Sequence, residues 1–277
     1  MAPRPTTIRD LLDSYDGVLL DAYGVLVDAR GPLPGAPPLI AELTRRGTPY
    51  AIVTNDASRS PATYVRRFAA MGLAIPEERI VTSGGLLPGF FRERGLAGAR
   101  TIVLGTEDSY AYVRAGGGIP SALEPGVEID AVAICDDAGT PFLEGIELAF
   151  SAIARAVEAG RAPALVLPNP DLVYPKGDRE FGFTAGAMAL LIEAALGRRF
   201  PGAALEFARL GKPAPYLFAE GVRRLGTSKL VMIGDQLETD IAGARAAGVD
   251  SALLAGVSRW QARSAIAPTY LLATIAP

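Results

Sequence analysis

Two aspartates in this chain follow short apolar runs. Asp21 closes the first half of "VLLDAYGVLVD", and Asp235 follows "VMIG" in "VMIGDQLETD". A carboxylate at the C-terminal end of a strand lies where open α/β sheets bind ligands. If ionised there, Asp21 can attack an electrophile such as phosphorus and form a covalent intermediate. Taken alone, Asp21 reads as a turn former.

Two further stretches change the weighing. "PYAIVTND" brings Thr54 and Asn55 to a strand end just ahead of a helix, where a hydroxyl, an amide and backbone N–H groups can meet an anion. "RLGKPAPYLF" places Lys212 between Gly211 and Pro213, so the lysine stem is aimed by a stiff backbone and its ammonium acts as a point charge for phosphate. Thr239 and Asp240 follow Asp235 at the start of a helix, where negative charge is favoured. Four strand ends of one sheet would gather Asp21, Thr54, Lys212 and Asp235. Two carboxylates that close raise each other's pKa unless a cation intervenes. Mg²⁺, which takes oxygen ligands, keeps both ionised.

Composition narrows the chemistry. The chain has 277 residues and no histidine, so a His-paired nucleophile and a His-ligated metal are both excluded. Acid–base work falls to carboxylates, Lys, Tyr or water, and a metal site would be oxygen-rich. The formal charge of −3 gives no basic field, so nucleic acid is not an expected partner. The single Cys135 excludes an internal disulfide and fits a reducing compartment. The N-terminus "MAPRPTTIRDLLDSYD" lacks a signal-peptide core, and no apolar run approaches the ~20 residues of a membrane span. The expectation is a cytoplasmic protein with no membrane partner.

Short apolar runs alternate with helical patterns, which predicts an α/β fold. "GVLLDAYG", "PYAIVTND" and "KLVMIGD" read as buried strands. "PPLIAELTRRG" and "SPATYVRRFAAMGL" read as helices, the second opened by Ser-Pro. A second series contains "ARTIVLGT", "AVAICDD", "LEGIELAFSAIARAVEAG" and "APALVLPNPD", followed by the helix "TAGAMALLIEAALGRRF". Gly-rich stretches at 82–89 and 181–188 predict the crossings between two domains. The expected core comprises residues 1–83 and 183–277, with an inserted α/β domain at 84–182.

The four motifs in this order resemble the haloacid dehalogenase (HAD) superfamily over nearly the whole chain. Asp21 and Thr54 are 33 positions apart (54 − 21), too close for a domain between them. Thr54 and Lys212 are 158 apart (212 − 54), room enough for one. "TNDASRSPATYVRRFAAMGL", "TSGG", "PNPDLVYP" and "GDQLETDIAGARAAG" look like subfamily IIA, the branch of nucleotide, sugar-phosphate, pyridoxal-phosphate and p-nitrophenyl phosphatases. The resemblance implies a Rossmann-like core with a central parallel sheet and an α/β cap domain between the second and third motifs. It also implies a small phosphorylated metabolite as substrate, Mg²⁺ as cofactor and, often in this branch, a homodimer formed by the caps.

Roles follow at matching positions. Asp21 would be the nucleophile and a metal ligand, with the backbone carbonyl of Tyr23 and Asp235 as further ligands. Asp240 would support the metal indirectly, through water or Lys212. Thr54 and Lys212 would hold phosphate, with Asn55 shaping the pocket. Asn169 and Asp171 of "PNPDLVYP" match a stretch near the active-site entrance.

Tyr23 departs from the family pattern, in which an aspartate two residues after the nucleophile protonates the leaving oxygen and then activates water. An unperturbed phenol, with a pKa of about 10, is a poor base at neutral pH. Three readings stay open. One is a phosphatase using an easier leaving group or another carboxylate, with Asp56 the candidate ahead of Asp136 and Asp137. The second is a dehalogenase, since "DAYG" looks like the 2-haloacid dehalogenase loop. The third is a protein that binds a phosphorylated ligand and turns it over slowly or not at all.

Overall fold

The computed structural model describes residues 2–177, 180–256 and 258–277. The chain divides into two compact units. The first contains Met1–Thr54, Pro61–Val81 and Lys212–Pro277, and the second Asn55–Ser60 and Thr82–Gly211.

The first unit is built on a seven-stranded sheet. Its order is Arg4–Thr6, Tyr270–Leu272, Asp250–Leu254, Leu230–Gly234, Gly17–Leu20, Tyr50–Thr54 and Ile80–Thr82. The pairings from Arg4–Thr6 across to Tyr50–Thr54 are parallel. The central strands are apolar on both faces, as a doubly covered parallel sheet requires. Val18, Leu20, Ile52, Val231 and Ile233 pack with Leu11, Leu39, Leu43 and Phe68 from the helices Ile8–Ser14, Ala36–Arg46 and Pro61–Ala70. The alternate residue Leu19 meets the helix Tyr216–Leu225, whose Gly221 lies so close that a Cβ would stand 2.8 Å from Leu19 Cδ2.

Local signals explain the helix ends. Thr7 and Asp10 form a capping box at the start of Ile8–Ser14. Gly47 ends Ala36–Arg46 in the left-handed conformation, at φ 65°.

The second unit has its own five-stranded sheet, ordered Ala208–Arg209, Ala164–Leu167, Ala131–Ile134, Arg100–Leu104 and Ile119–Pro120, with parallel pairing throughout. One face buries Ile102, Leu104, Val132 and Ile134 against helices Phe142–Glu158 and Ala185–Arg199. The other buries Val103, Ala133 and Val166 against Leu87, Phe91 and Val113. An antiparallel hairpin, Val173–Gly177 with Glu180–Phe183, completes the unit.

The unit boundaries differ from those expected at 84–182. Residues 181–183 belong to that hairpin and do not cross between units. Its position after a Gly-rich stretch places the Ala-rich helix Ala185–Arg199 in the expected core. Its apolar face, Met188, Ala189, Ile192 and Leu196, is instead buried against the second sheet. Packing partners set the boundary, and they were not visible in local composition. Among the described residues no helix is long and apolar enough to cross a membrane.

Candidate active site

The strand Gly17–Leu20 delivers Asp21 to the carboxyl edge of the first sheet, where the Asp21 N–H donates to Ile233 O at 3.0 Å. The adjacent parallel strand Leu230–Gly234 delivers Asp235 to the same edge. Carboxylate oxygens of Asp21, Asp235 and Asp240 all lie within 4.8 Å of one another, and all three residues are buried. Such a gathering is costly without a cation.

Lys212 supplies one positive charge. Its Nζ donates to Asp21 Oδ1 at 2.7 Å, to Asp240 Oδ1 at 2.6 Å and to Val53 O at 3.2 Å. The last contact ties the lysine to the strand that ends at Thr54, itself buried. Burial opposes the lysine's charge, yet Asp21 and Asp240 together hold its pKa above the ordinary value. Burial pushes Asp21 up to about 7 against the pull of Lys212. Burial, then Asp21 and Asp240, push Asp235 up to about 8.

The two outer carboxylates are used differently. Asp240 Oδ2 accepts from the N–H groups of Asp235 at 3.2 Å and Gln236 at 3.1 Å, while Oδ1 takes the lysine. Both oxygens are thus engaged with the protein, which suits an indirect role. Asp235 Oδ1 is buried and has no hydrogen-bond partner among the described residues. A buried, unpartnered carboxylate oxygen beside a second carboxylate fits a hard divalent cation.

Gly24 shows how tightly this edge is drawn. A Cβ there would lie 2.2 Å from Asp235 Oδ2, and its φ of +89° disfavours other residues. The loop can therefore pass directly over the carboxylate. Tyr23 goes another way: its ring packs half-buried against the hydrophobic core. Burial and Asp28 push the phenol's pKa upward, making it still less suited to act as a base.

The remaining predicted residues belong to the second unit. Asn55 Nδ2 donates to Asp171 Oδ1 at 2.9 Å, and the Asp171 N–H donates to Asn169 Oδ1 at 3.0 Å. These three residues therefore form one network. Asp56 is committed to its own turn. Its Oδ1 accepts from Ser58 N–H at 2.6 Å, Ser58 Oγ at 2.7 Å and Arg59 N–H at 3.2 Å, while Oδ2 pairs with Arg59 Nη1 at 2.6 Å. A carboxylate so occupied is a turn-stabilising group and a poor stand-in acid or base. Burial raises Asp136 to about 6, against a hydrogen bond from the Ala138 N–H.

Sequence reasoning missed one contributor. Ser258 contacts the backbone around Asp235, through its N–H to Asp235 O at 3.0 Å and through Oγ from Leu237 N–H at 3.2 Å. A serine in "AGVSRW" carries no local signal of such a role.

Known proteins resemble this chain in sequence and fold. The family model described as haloacid dehalogenase-like hydrolase matches residues 18–118, and a HAD-hydrolase-like model matches residues 209–277. The chain is 32% identical to chronophin of Mus musculus over 92% of its length and 86% of the relative's. Its fold is similar to a possible sugar phosphatase of the HAD superfamily from Cytophaga hutchinsonii, with a TM-score of 0.85, 28% identity and coverage of 100% and 99% of the two chains. It is also similar to a glycerol phosphate phosphatase from Mycobacterium tuberculosis in complex with magnesium, with a TM-score of 0.80, 28% identity and coverage of 98% and 78%. That enzyme has also been solved with calcium.

Proposed function

This chain belongs to the haloacid dehalogenase superfamily, in its subfamily IIA, and from that premise we propose that it is a Mg²⁺-dependent phosphatase of small phosphorylated metabolites. The relatives with phosphatase activity in their names support the reaction class. The observation that carries the reading is the buried trio Asp21, Asp235 and Asp240, with one unpartnered oxygen on Asp235.

In this reading Asp21, the Tyr23 backbone carbonyl and Asp235 would hold the cation, and Asp240 orders the loop and Lys212. Bound there, Mg²⁺ would supply the positive charge that lets neighbouring carboxylates stay ionised beside a phosphoryl group. Asp21 attacks phosphorus; its O–P bond forms as the ester O–P bond breaks, and the leaving oxygen departs with the electron pair. Lys212 and Thr54 neutralise and orient the phosphoryl oxygens. Water then attacks phosphorus as the Asp21 O–P bond breaks and loses its proton to solvent, which releases inorganic phosphate and restores the Asp21 carboxylate.

Asn55, Asn169 and Asp171 would contact substrate, and the second unit would act as the cap that selects it. Tyr23 leaves the cation ligand intact through its backbone while offering no carboxylate for proton transfer. General acid–base catalysis is worth about 10²–10⁴ in rate, so turnover is slow or confined to leaving groups that need no proton. Asp235 beside Asp21 favours this reading over a metal-free dehalogenase, which would leave a spare buried acid.

A panel of small phosphoesters assayed with Mg²⁺ or with EDTA tests the proposal. Phosphate release that needs both Mg²⁺ and Asp21 is expected. No Asp21-dependent release from any ester would sink it.

A further inference from the structure

The loop that presents Asp235 is fixed partly from outside itself. The strand Asp250–Leu254 runs parallel to Leu230–Gly234, with Gly234 opposite Leu253. The chain leaving Leu254 therefore emerges beside Asp235. A Cβ on Gly256 would stand 3.7 Å from Asp235 Cβ, so this turn packs on the stem of the carboxylate. Trp260, Ile266 and Leu271 pack with Leu237, Ile241 and Leu253, anchoring both segments in one apolar cluster.

Three successive backbone amides at this turn have side-chain acceptors. Asp240 Oδ2 takes the N–H groups of Asp235 and Gln236. Ser258 Oγ takes that of Leu237 at 3.2 Å, and the Ser258 N–H returns a bond to Asp235 O at 3.0 Å. Successive free amides in a turn make an anion-binding concavity. Here they are consumed internally, so the turn is built to aim a carboxylate and not to grip a phosphate. Among the described residues, Asp235 Oδ1 has no hydrogen bond of its own to aim it. Its direction depends on the backbone that Asp240 and Ser258 hold.

We infer that Ser258 is a positioning residue for the cation site, fixing through Asp235 O and the Leu237 amide the backbone from which Asp235 meets Asp21. The inference rests on the reading of the carboxylate trio as a Mg²⁺ centre. Partners that orient metal ligands typically change metal affinity about 10–100-fold when removed.

The test is a Mg²⁺ titration of the metal-free full chain without substrate, read by calorimetry and by thermal unfolding. Ser258→Ala raises the half-saturating Mg²⁺ concentration about tenfold or more. Ser258→Gly, which also loses the hydroxyl and keeps the backbone N–H, does the same and serves if the alanine variant does not fold. Ser258→Thr restores binding close to that of the original chain. If Ser258→Ala and Ser258→Gly lower the melting temperature in EDTA yet keep the original Mg²⁺ midpoint, Ser258 only stabilises the turn and the inference is overturned. If the unaltered chain binds no Mg²⁺, the metal reading itself fails and takes the inference with it.

Discussion

Lys212 is locked to Asp21: its Nζ lies 2.7 Å from Asp21 Oδ1, with both side chains buried. The same ammonium lies 2.6 Å from Asp240 Oδ1. One lysine therefore holds the proposed nucleophile and the helix-start carboxylate in a fixed relation. It also makes the site's charge balance sensitive to a single substitution.

Lys212→Met leaves Asp21 and Asp240 buried without their cation. Breaking a buried pair from one side costs about 3–5 kcal/mol. Urea unfolding in EDTA should show a loss of this size, with phosphate release abolished. An unchanged midpoint would mean that the carboxylates have found other compensation.

Asp235→Asn acts in the opposite direction on the metal-free protein. It removes one of three crowded carboxyls while keeping the side-chain volume. In EDTA the variant should be at least as stable as the original chain. Added Mg²⁺ should raise the melting temperature of the original chain and leave that of the variant unmoved. Equal Mg²⁺ stabilisation of both would remove Asp235 from the ligand set.

Asp136, in the second unit, gives a pH dependence. Burial raises its pKa from 3.8 to about 6, with Asp56 adding to the rise. A carboxyl with a raised folded-state pKa binds its proton more tightly in the native chain. Its contribution is therefore favourable at low pH and is lost as pH climbs from about 4 through about 6. Asp136→Asn should melt higher than the original chain at about pH 8 and match it below about pH 4. A uniform shift at both pH values would show that the effect is not titration of this group.

Tyr23→Asp introduces the carboxylate that the loop lacks. Phosphate release should rise about 10²–10⁴-fold, the usual worth of a placed acid–base group. Mg²⁺ affinity should change little, since the backbone carbonyl is retained. If turnover stays flat while Mg²⁺ still binds, proton transfer is not what limits this enzyme.

The central strands and their ends were legible in the sequence because "GVLLD", "YAIVT" and "LVMIG" are apolar on both faces and stop at polar residues. The gathering of Asp21 and Asp235 follows from placing those ends along one sheet edge; Lys212 is not a strand end of that sheet, because the strand before it, Ala208–Arg209, pairs in the second sheet, and the lysine reaches Asp21 and Val53 O through its side chain. Other features depend on distant partners and gave no local signal. The edge strand Arg4–Thr6 and its neighbour Tyr270–Leu272 are three residues each; the first takes meaning from pairing with the second, and the second from pairing also with Asp250–Leu254. The helix Ala185–Arg199 carries no address in its alanines; Met188 and Ile192 find theirs against Val132 and Ile134. Ser258 lies 23 positions beyond Asp235 (258 − 235) and meets it through strand register. Asp56 is a candidate acid or base in the sequence, and only its contacts with Ser58 and Arg59 commit it to the turn.

The central claim is that Asp21 takes up the phosphoryl group. Acid quenching during turnover of p-nitrophenyl phosphate with Mg²⁺, followed by peptide mass spectrometry, tests it most directly. A phosphoryl group on the peptide carrying Asp21, absent in EDTA and in Asp21→Asn, is the expected result. Mg²⁺-dependent phosphate release that continues in Asp21→Asn, with no modified Asp21 peptide in the original chain, would contradict it.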